Sequence, residues 1–265
     1  MPTHPDGSDG DEAFPDPPAD PDTLCDLVAR DRRTSGLALR ATGPGRTYSY
    51  RDFVTTSYKS GNVLRYLGVR AGDDVLVVPD ALPEPVLAFY GAAQLGAATR
   101  FADSITGDDD PPRAVLAPVA REVDFDLPPG HRLAVHGGPP EAPSTTHWES
   151  EVWSENPAVH PATVEPDDPA LLADGRRYAH ADLLAAAETV VDGADLRPGT
   201  DVVVDGPFTD PLVVASGLVA PILAGATVVL PDERDGPDDE GENAVTTTEL
   251  REHLAFSSGG NHGRA

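Results

Sequence analysis

Lysine is nearly absent from this sequence: Lys59 stands alone beside 18 arginines in 265 residues. Cysteine and methionine occur once each, and aromatic residues make up only 6%. One cysteine, Cys25, excludes an internal disulfide and any zinc site built on several cysteines. Basic residues number 19 against 45 acidic ones, a net charge of −26. So little positive charge leaves no basic face to neutralise phosphates, which excludes a nucleic-acid binder. The same shortage excludes docking on an anionic membrane surface. No Walker loop, Gly-x-Gly-x-x-Gly, Gly-x-Ser-x-Gly or His-Glu-x-x-His occurs.

What is abundant is acid. Asp (31) outnumbers Glu (14), and the excess is spread along the chain. Charges this dense repel one another and oppose compaction at low salt. At molar salt the screening length falls to about 3 Å and the repulsion fades. The composition therefore resembles that of cytosolic proteins from extreme halophiles. Residues 1–22 hold neither an apolar stretch nor a basic start, so a secretory signal is not expected and the location implied is cytoplasmic. Residues 1–22 and 232–265 read as acidic flexible tails, the second with a short helix at Glu249–Ala255. Folded structure is expected over 23–231. Leu212–Leu230 lacks charge over nearly a membrane-spanning length, but Gly217, Pro221 and Gly225 divide it. It reads as a buried helix followed by a buried strand, not as a span.

Within that region the chain repeats itself. Residues 46–101 begin RTYSYRDF and continue through GVRAGDDVLVV to GAATRF. Residues 176–230 begin RRYAHADLL and continue through LRPGTDVVV to GATVVL. Tyr48 matches Tyr178, Asp52 matches Asp182, Gly72 matches Gly199, Gly91 matches Gly217, and Gly96-Ala97 matches Gly225-Ala226. Each copy predicts the same order. An amphipathic helix comes first, over about Tyr50–Leu67 in the first copy. A Gly-Asp or Gly-Thr turn and a doubly apolar strand follow, at Val75–Pro79 and at Asp201–Val204. A proline then starts the next helix, and a glycine ends it before a short strand. Two further strands, Ala114–Ala117 and Leu133–His136, lie between the copies. The Pro-rich stretch of about Gly137–Pro169 is too long for a compact loop and reads as a surface excursion or a mobile segment. The fold class expected is α/β: a doubly wound, mostly parallel sheet built from two repeated β/α units.

The order RTYSYRDF … NVLRYLGVRAGDDVLVV … PEPVLAFYGAAQLGAATRF resembles the opening of the adenylate-forming enzymes. These are the AMP-dependent synthetases and ligases: acyl-CoA synthetases, peptide-synthetase adenylation domains and luciferases. The resemblance covers about Thr23–Pro231. It makes Tyr178–Leu184 similar to the Ser-His-x-Asn-Leu-Leu stretch that follows the family's phosphate loop. It also makes Gly206-Pro207-Phe208-Thr209 similar to the border of the acyl pocket. By that resemblance Arg176 and His180 are candidates for a cofactor site, and Phe208 and Thr209 for a substrate pocket. The family's phosphate loop is rich in Thr, Ser and Gly and ends in Pro-Lys-Gly. Ala170–Arg177 stands in its place here, with Asp174 and without lysine. Such a loop offers backbone N–H groups and hydroxyls to phosphates, whereas an aspartate repels them. The sequence also holds no counterpart of the family's later Tyr-x-Glu or of the catalytic lysine of its small C-terminal domain. No catalytic residue is therefore assigned.

Each candidate has a plainer reading beside it. His180 suits a polar contact at a helix start, Phe208 suits core packing, and Arg176 repeats the position of Arg46. His131, His136, His147 and His160 match no common metal spacing and read as solvated. Ser257–Gly263 superficially resembles a phosphate loop but reads as flexible tail. The leading expectation is an acyl-CoA synthetase-like pseudoenzyme that has lost adenylation and binds or regulates, with a synthetase homologue as partner and no cofactor. The alternatives are one part of a split acyl-CoA or acyl-AMP ligase, using ATP and magnesium with a missing C-terminal half, and a small-molecule binding module with no ligase link.

Overall fold

The computed structural model describes residues 13–105, 110–232 and 244–257. A short helix, α1 (Leu24–Leu27), precedes the hairpin β1 (Leu37–Ala41) and β2 (Arg46–Ser49). Helix α2 (Tyr50–Tyr66) leads to β3 (Asp74–Val77), α3 (Pro83–Ala93) and β4 (Ala98–Phe101). Between the copies stand β5 (Ala114–Pro118), β6 (Arg132–His136), β7 (Thr146–His147) and α4 (Trp148–Ser154). The second copy opens with the hairpin β8 (Pro169–Ala173) and β9 (Arg176–Ala179), then α5 (His180–Ala194) and β10 (Asp201–Val203). Its next helix has three parts: α6 (Pro211–Val213), a π segment (Val214–Val219) and α7 (Ala220–Ala224). Then come β11 (Thr227–Leu230), β12 (Ala244–Thr246) and α8 (Thr247–Ser257).

The strands form two sheets rather than one, and the copies exchange their hairpins. The first sheet has the order β12-β10-β11-β1-β2 and the second β7-β6-β5-β3-β4-β8-β9. Strand β1 of the first copy lies parallel to β11 of the second, with Leu39 opposite Val228. Strand β8 of the second copy lies parallel to β4 of the first, with Thr99 opposite Leu171. Both hairpins carry the same irregularity, between Leu37 and Leu39 and between Pro169 and Leu171. Among the described residues, every pairing except the two hairpins is parallel. The equivalence expected of Val75–Pro79 and Asp201–Val204 holds: β3 lies between β4 and β5 as β10 lies between β11 and β12.

Local chemistry explains the boundaries. The Ser49 hydroxyl accepts the Asp52 N–H at 3.1 Å and caps α2. Gly68 ends it at φ +96°, with Val69 N–H on Leu64 C=O at 3.0 Å and Gly68 N–H on Arg65 C=O at 3.1 Å, a Schellman closure. Helix α5 closes the same way, with Leu196 N–H on Val191 C=O at 3.0 Å, but the left-handed residue there is Asp195. Helix α2 meets α3 closely: a Cβ on Gly91 would sit 2.6 Å from the Gly61 nitrogen.

The helices of the two copies share one core. Tyr50 and Tyr90 are fully buried, and their hydroxyls donate to Ala226 C=O at 2.7 Å and Leu218 C=O at 2.8 Å. Leu218 lies in the π segment, where the wider turn spoils regular i→i+4 bonding. Pro221 contributes by having no N–H to offer Gly217 C=O. From the proline at its start to the glycine that closes it, the second helix is one residue longer than the first, Pro211–Gly225 against Pro83–Gly96, and the π segment takes up the surplus. At the helix end the buried Arg32 donates to Ile222 C=O at 2.6 Å, a cation on the negative pole.

The body extends past the boundaries expected from the sequence. Residues 13–22, read as tail, lie against it: Ala13 C=O accepts Gly36 N–H at 2.9 Å, Asp16 C=O accepts Arg32 at 2.6 Å, and Pro15 is buried. Residues 1–12, 233–243 and 258–265, also read as tail, lie outside the described residues, and with them most of Ser257–Gly263. Strand β12 joins the first sheet beside β10, and α8 covers the helix expected at Glu249–Ala255. The 137–169 stretch is a surface excursion. It includes β7 and α4 and then crosses α2, where Asn62 donates to Asn156 C=O at 2.9 Å and Ala158 C=O at 3.2 Å. Among the described residues no helix is long and apolar enough to cross a membrane; Leu212–Leu230 is the buried helix and strand expected.

Candidate functional site

Open parallel sheets place ligands at the carboxyl ends of their strands. Here the corresponding ends of β3 and β10, one in each sheet, converge on one cleft of about 190 Å³. Pro79 and Asp80 follow β3, Val204, Pro207 and Phe208 follow β10, and Leu230 ends β11. Small-molecule sites run to about 300–1,000 Å³, so this cleft alone holds at most a fragment. Phe208 forms one wall at 6% exposure and meets Phe101 edge-on, with ring centres 5.3 Å apart. Beside it Asp205 accepts the Thr248 N–H at 3.0 Å and the Thr247 hydroxyl. Partial burial pushes the Asp205 carboxyl up, but these bonds outweigh it and hold it below the ordinary range. Asp205 is thereby committed to anchoring α8.

The four residues expected at a site are not brought together. Phe208 lines the cleft and is also core packing; Thr209 is exposed next to it and not among the lining residues. Arg176 is exposed on β9 with its guanidinium 5.3 Å from the Tyr178 ring centre. Arg46 stands 5.6 Å over Tyr48 in the same way, so the pair is a device of the repeat. His180 is fully buried at the start of α5, where Nδ1 accepts the Leu24 N–H at 3.1 Å and Nε2 has no partner among the described residues. Burial lowers its pKa to about 4, against the opposing pull of Asp168 and Asp26. A neutral imidazole that accepts at the first N–H of α1 is a structural contact.

Two of the histidines expected to be solvated are buried: His136 at 1% and His160 at 7% exposure. His136 ends β6, between β7 and β5, and His160 stacks on Tyr58 with ring centres 5.7 Å apart. Burial lowers the His160 pKa to about 4. Among the described residues no group of three His, Cys, Asp or Glu side chains could hold a metal ion.

The Ala170–Arg177 segment, which the resemblance aligns with a phosphate loop, forms a tight hairpin. Ala173 pairs with Arg176 across a two-residue turn, Asp174 at φ 51° and Gly175 at φ 69°. Both left-handed angles fit a type I′ turn. Sequence reasoning missed this form, although Asp-Gly between apolar and alternating residues is a hairpin signal. Around it, Arg176 lies on Tyr178, and Arg177 approaches Asp74 at 3.5 Å.

No protein-family model matches the chain, and no curated protein sequence does. Solved structures do match. Apo MatB from Rhodopseudomonas palustris superimposes with a TM-score of 0.67 at 16% identity, over 82% of this chain and 46% of that one. The anthranilate CoA ligase AuaEII, in complex with anthranoyl-AMP, gives 0.66 at 20% identity, over 78% and 44%. The nonribosomal peptide synthetase FmoA3 (S1046A), bound to AMPPNP, gives 0.68 at 22% identity, over 94% and 28%. At these identities the likeness establishes the fold: that of the N-terminal part of adenylate-forming enzymes. The chain spans less than half the length of these three structures.

Proposed function

We propose that this chain is an AMP-dependent synthetase/ligase-like scaffold that does not form an acyl-adenylate by itself and serves as a binding or regulatory module. The observation that supports this reading is the Ala173–Arg176 hairpin. A phosphate cradle needs free backbone N–H groups converging on one point. Here the backbone on either side of the turn pairs in a ladder, and the turn itself presents Asp174. The nearby arginines are engaged with Tyr178 and Asp74. Residues of this kind do not fit a magnesium-bound triphosphate.

The partner favoured is a synthetase homologue, in a cytoplasm of high salt suited to a net charge of −26. Calorimetry with MgATP in molar KCl tests the reading. No binding tighter than millimolar is expected; micromolar binding that Arg176→Ala abolishes would overturn it.

A second reading has its own support: the chain corresponds to 46% of MatB and 44% of AuaEII, as one part of a split ligase would. Magnesium and ATP would then be held mostly by the other part. Capture of binding proteins in molar KCl separates the two. A complete synthetase as the dominant partner supports regulation, and a synthetase C-terminal half supports the split enzyme.

A further inference from the structure

Apart from the strand ends, a groove of about 480 Å³ lies against α2, bounded by β2, the start of α3 and α4. Its volume is that of a small-molecule site. Both tryptophans of the chain line it, Trp148 buried at 2% and Trp153 open at 86% exposure. The only lysine, Lys59, closes one side and donates to the Trp153 carbonyl at 3.2 Å.

The charges in the groove do not balance. Glu84, 3% exposed, takes Arg46 on one carboxylate oxygen at 2.5 Å, and its other oxygen is buried with no hydrogen-bond partner among the described residues. Arg46 is further engaged with the Tyr48 hydroxyl. Glu149 accepts the Gly137 N–H at 2.5 Å through one oxygen; the other faces His147 at 3.4 Å and likewise has no hydrogen-bond partner there. Asp52, shared with the Ser49 hydroxyl at 2.7 Å, adds a third carboxylate to the lining, against Arg46 and Lys59. His136 lies close enough to feel Glu84, Glu149 and Asp80, yet burial holds its pKa below the ordinary value, so it does not supply the missing charge at neutral pH.

Each class of occupant meets this differently. An anion would face surplus carboxylates inside a protein of net charge −26. A neutral apolar molecule would leave the surplus negative charge of the groove uncompensated in a less polar surrounding, which is costly. An organic cation supplies the missing charge, and an open indole face adds cation–π attraction. We propose that this groove binds a small organic cation, a primary alkylammonium or a guanidinium, against the Trp153 ring with its charge directed at the Glu149 and Glu84 carboxylates.

Because both tryptophans line the groove, intrinsic fluorescence of the whole chain reports on it directly. The probes are butylammonium and butylguanidinium, with 1-butanol as neutral and butyrate as anionic counterpart, titrated at constant ionic strength. A saturable emission change is expected with either cation, at concentrations at least tenfold below any response to butanol or butyrate. Glu149→Gln, at a partly exposed position, is expected to weaken the cations at least fivefold. Trp153→Ala is expected to do the same, with Trp148 left as reporter. Equal responses to butanol or butyrate, a linear response, or unchanged affinity in both variants would overturn the proposal.

Discussion

The two copies trace one backbone plan with residues of different quality. The first caps α2 with Ser49, ends it on Gly68 and runs α3 as regular helix. The second has Ala179 at the cap, Asp195 in the left-handed position and a π segment at the matching helix. Asp182 still accepts the Ala179 N–H at 2.9 Å, so half of the capping arrangement survives. Proteins depart from local rules where function or history demands it, and stability elsewhere carries the departure. Here the carrier is the exchange of hairpins, which makes neither sheet complete without the other copy.

The sharpest way to separate the copies is at Gly91 and Gly217, aligned in the sequence but packed against α2 in the first copy and against Val204, after β10, and α8 in the second. Gly91→Ala would drive a Cβ to 2.6 Å from backbone at Gly61, whereas Gly217→Ala would meet the Thr247 side chain. We expect Gly91→Ala to cost about 3 kcal/mol and Gly217→Ala clearly less, by chemical denaturation in molar KCl. Equal costs would break the comparison.

The matched positions Tyr50 and His180 differ in their response to pH. The folded pKa of His180, about 4, lies below the ordinary 6.5, so the unfolded chain binds the proton more readily. Its contribution is present above pH 6.5 and is lost as pH falls towards 4. Between those limits we expect wild type to lose about 1–3 kcal/mol more than His180→Asn does. Parallel stability curves would remove His180 from the account.

Tyr90→Phe leaves the Leu218 carbonyl without its donor, and a loss of about 1–3 kcal/mol is expected. Hydrogen exchange should then quicken first in 214–219; uniform quickening would show that the π segment does not depend on this bond. The smallest effects are at the caps. Ser49→Ala should cost about 1 kcal/mol, and Ala179→Ser should return somewhat less. Two equal losses would mean that the copies are not equivalent at this turn.

Much of this plan is legible in the residues themselves. The repeat marks the strands at Val75–Pro79 and Asp201–Val204, and prolines mark the helix starts, at Pro83 or Pro85, of which the structure uses Pro83, and near Pro211. The exchange of hairpins is not legible, because parallel pairing is non-local and a repeat does not say which sheet each strand joins. The π segment is hidden in an apolar helix with no polar face to reveal its period; only the one extra residue between Pro211 and Gly225 betrays it. Phe14 and Pro15 look like tail because two apolar residues among prolines and aspartates make no pattern, yet Phe14 lies against Gly36 and Gly199. At the site, Phe208 is legible as an aromatic after a strand. The groove is not, since its lining comes from β2, α2, α3 and α4.

The central claim is that the second copy's hairpin has replaced a phosphate-binding loop. ATP–pyrophosphate exchange in molar KCl, with magnesium and a panel of short and aromatic carboxylates, tests it most directly. Each lost donor to developing charge lowers the rate by about 10²–10³, so exchange indistinguishable from a protein-free blank is the expected result. Exchange clearly above that blank, and abolished by Arg176→Ala, would contradict the account.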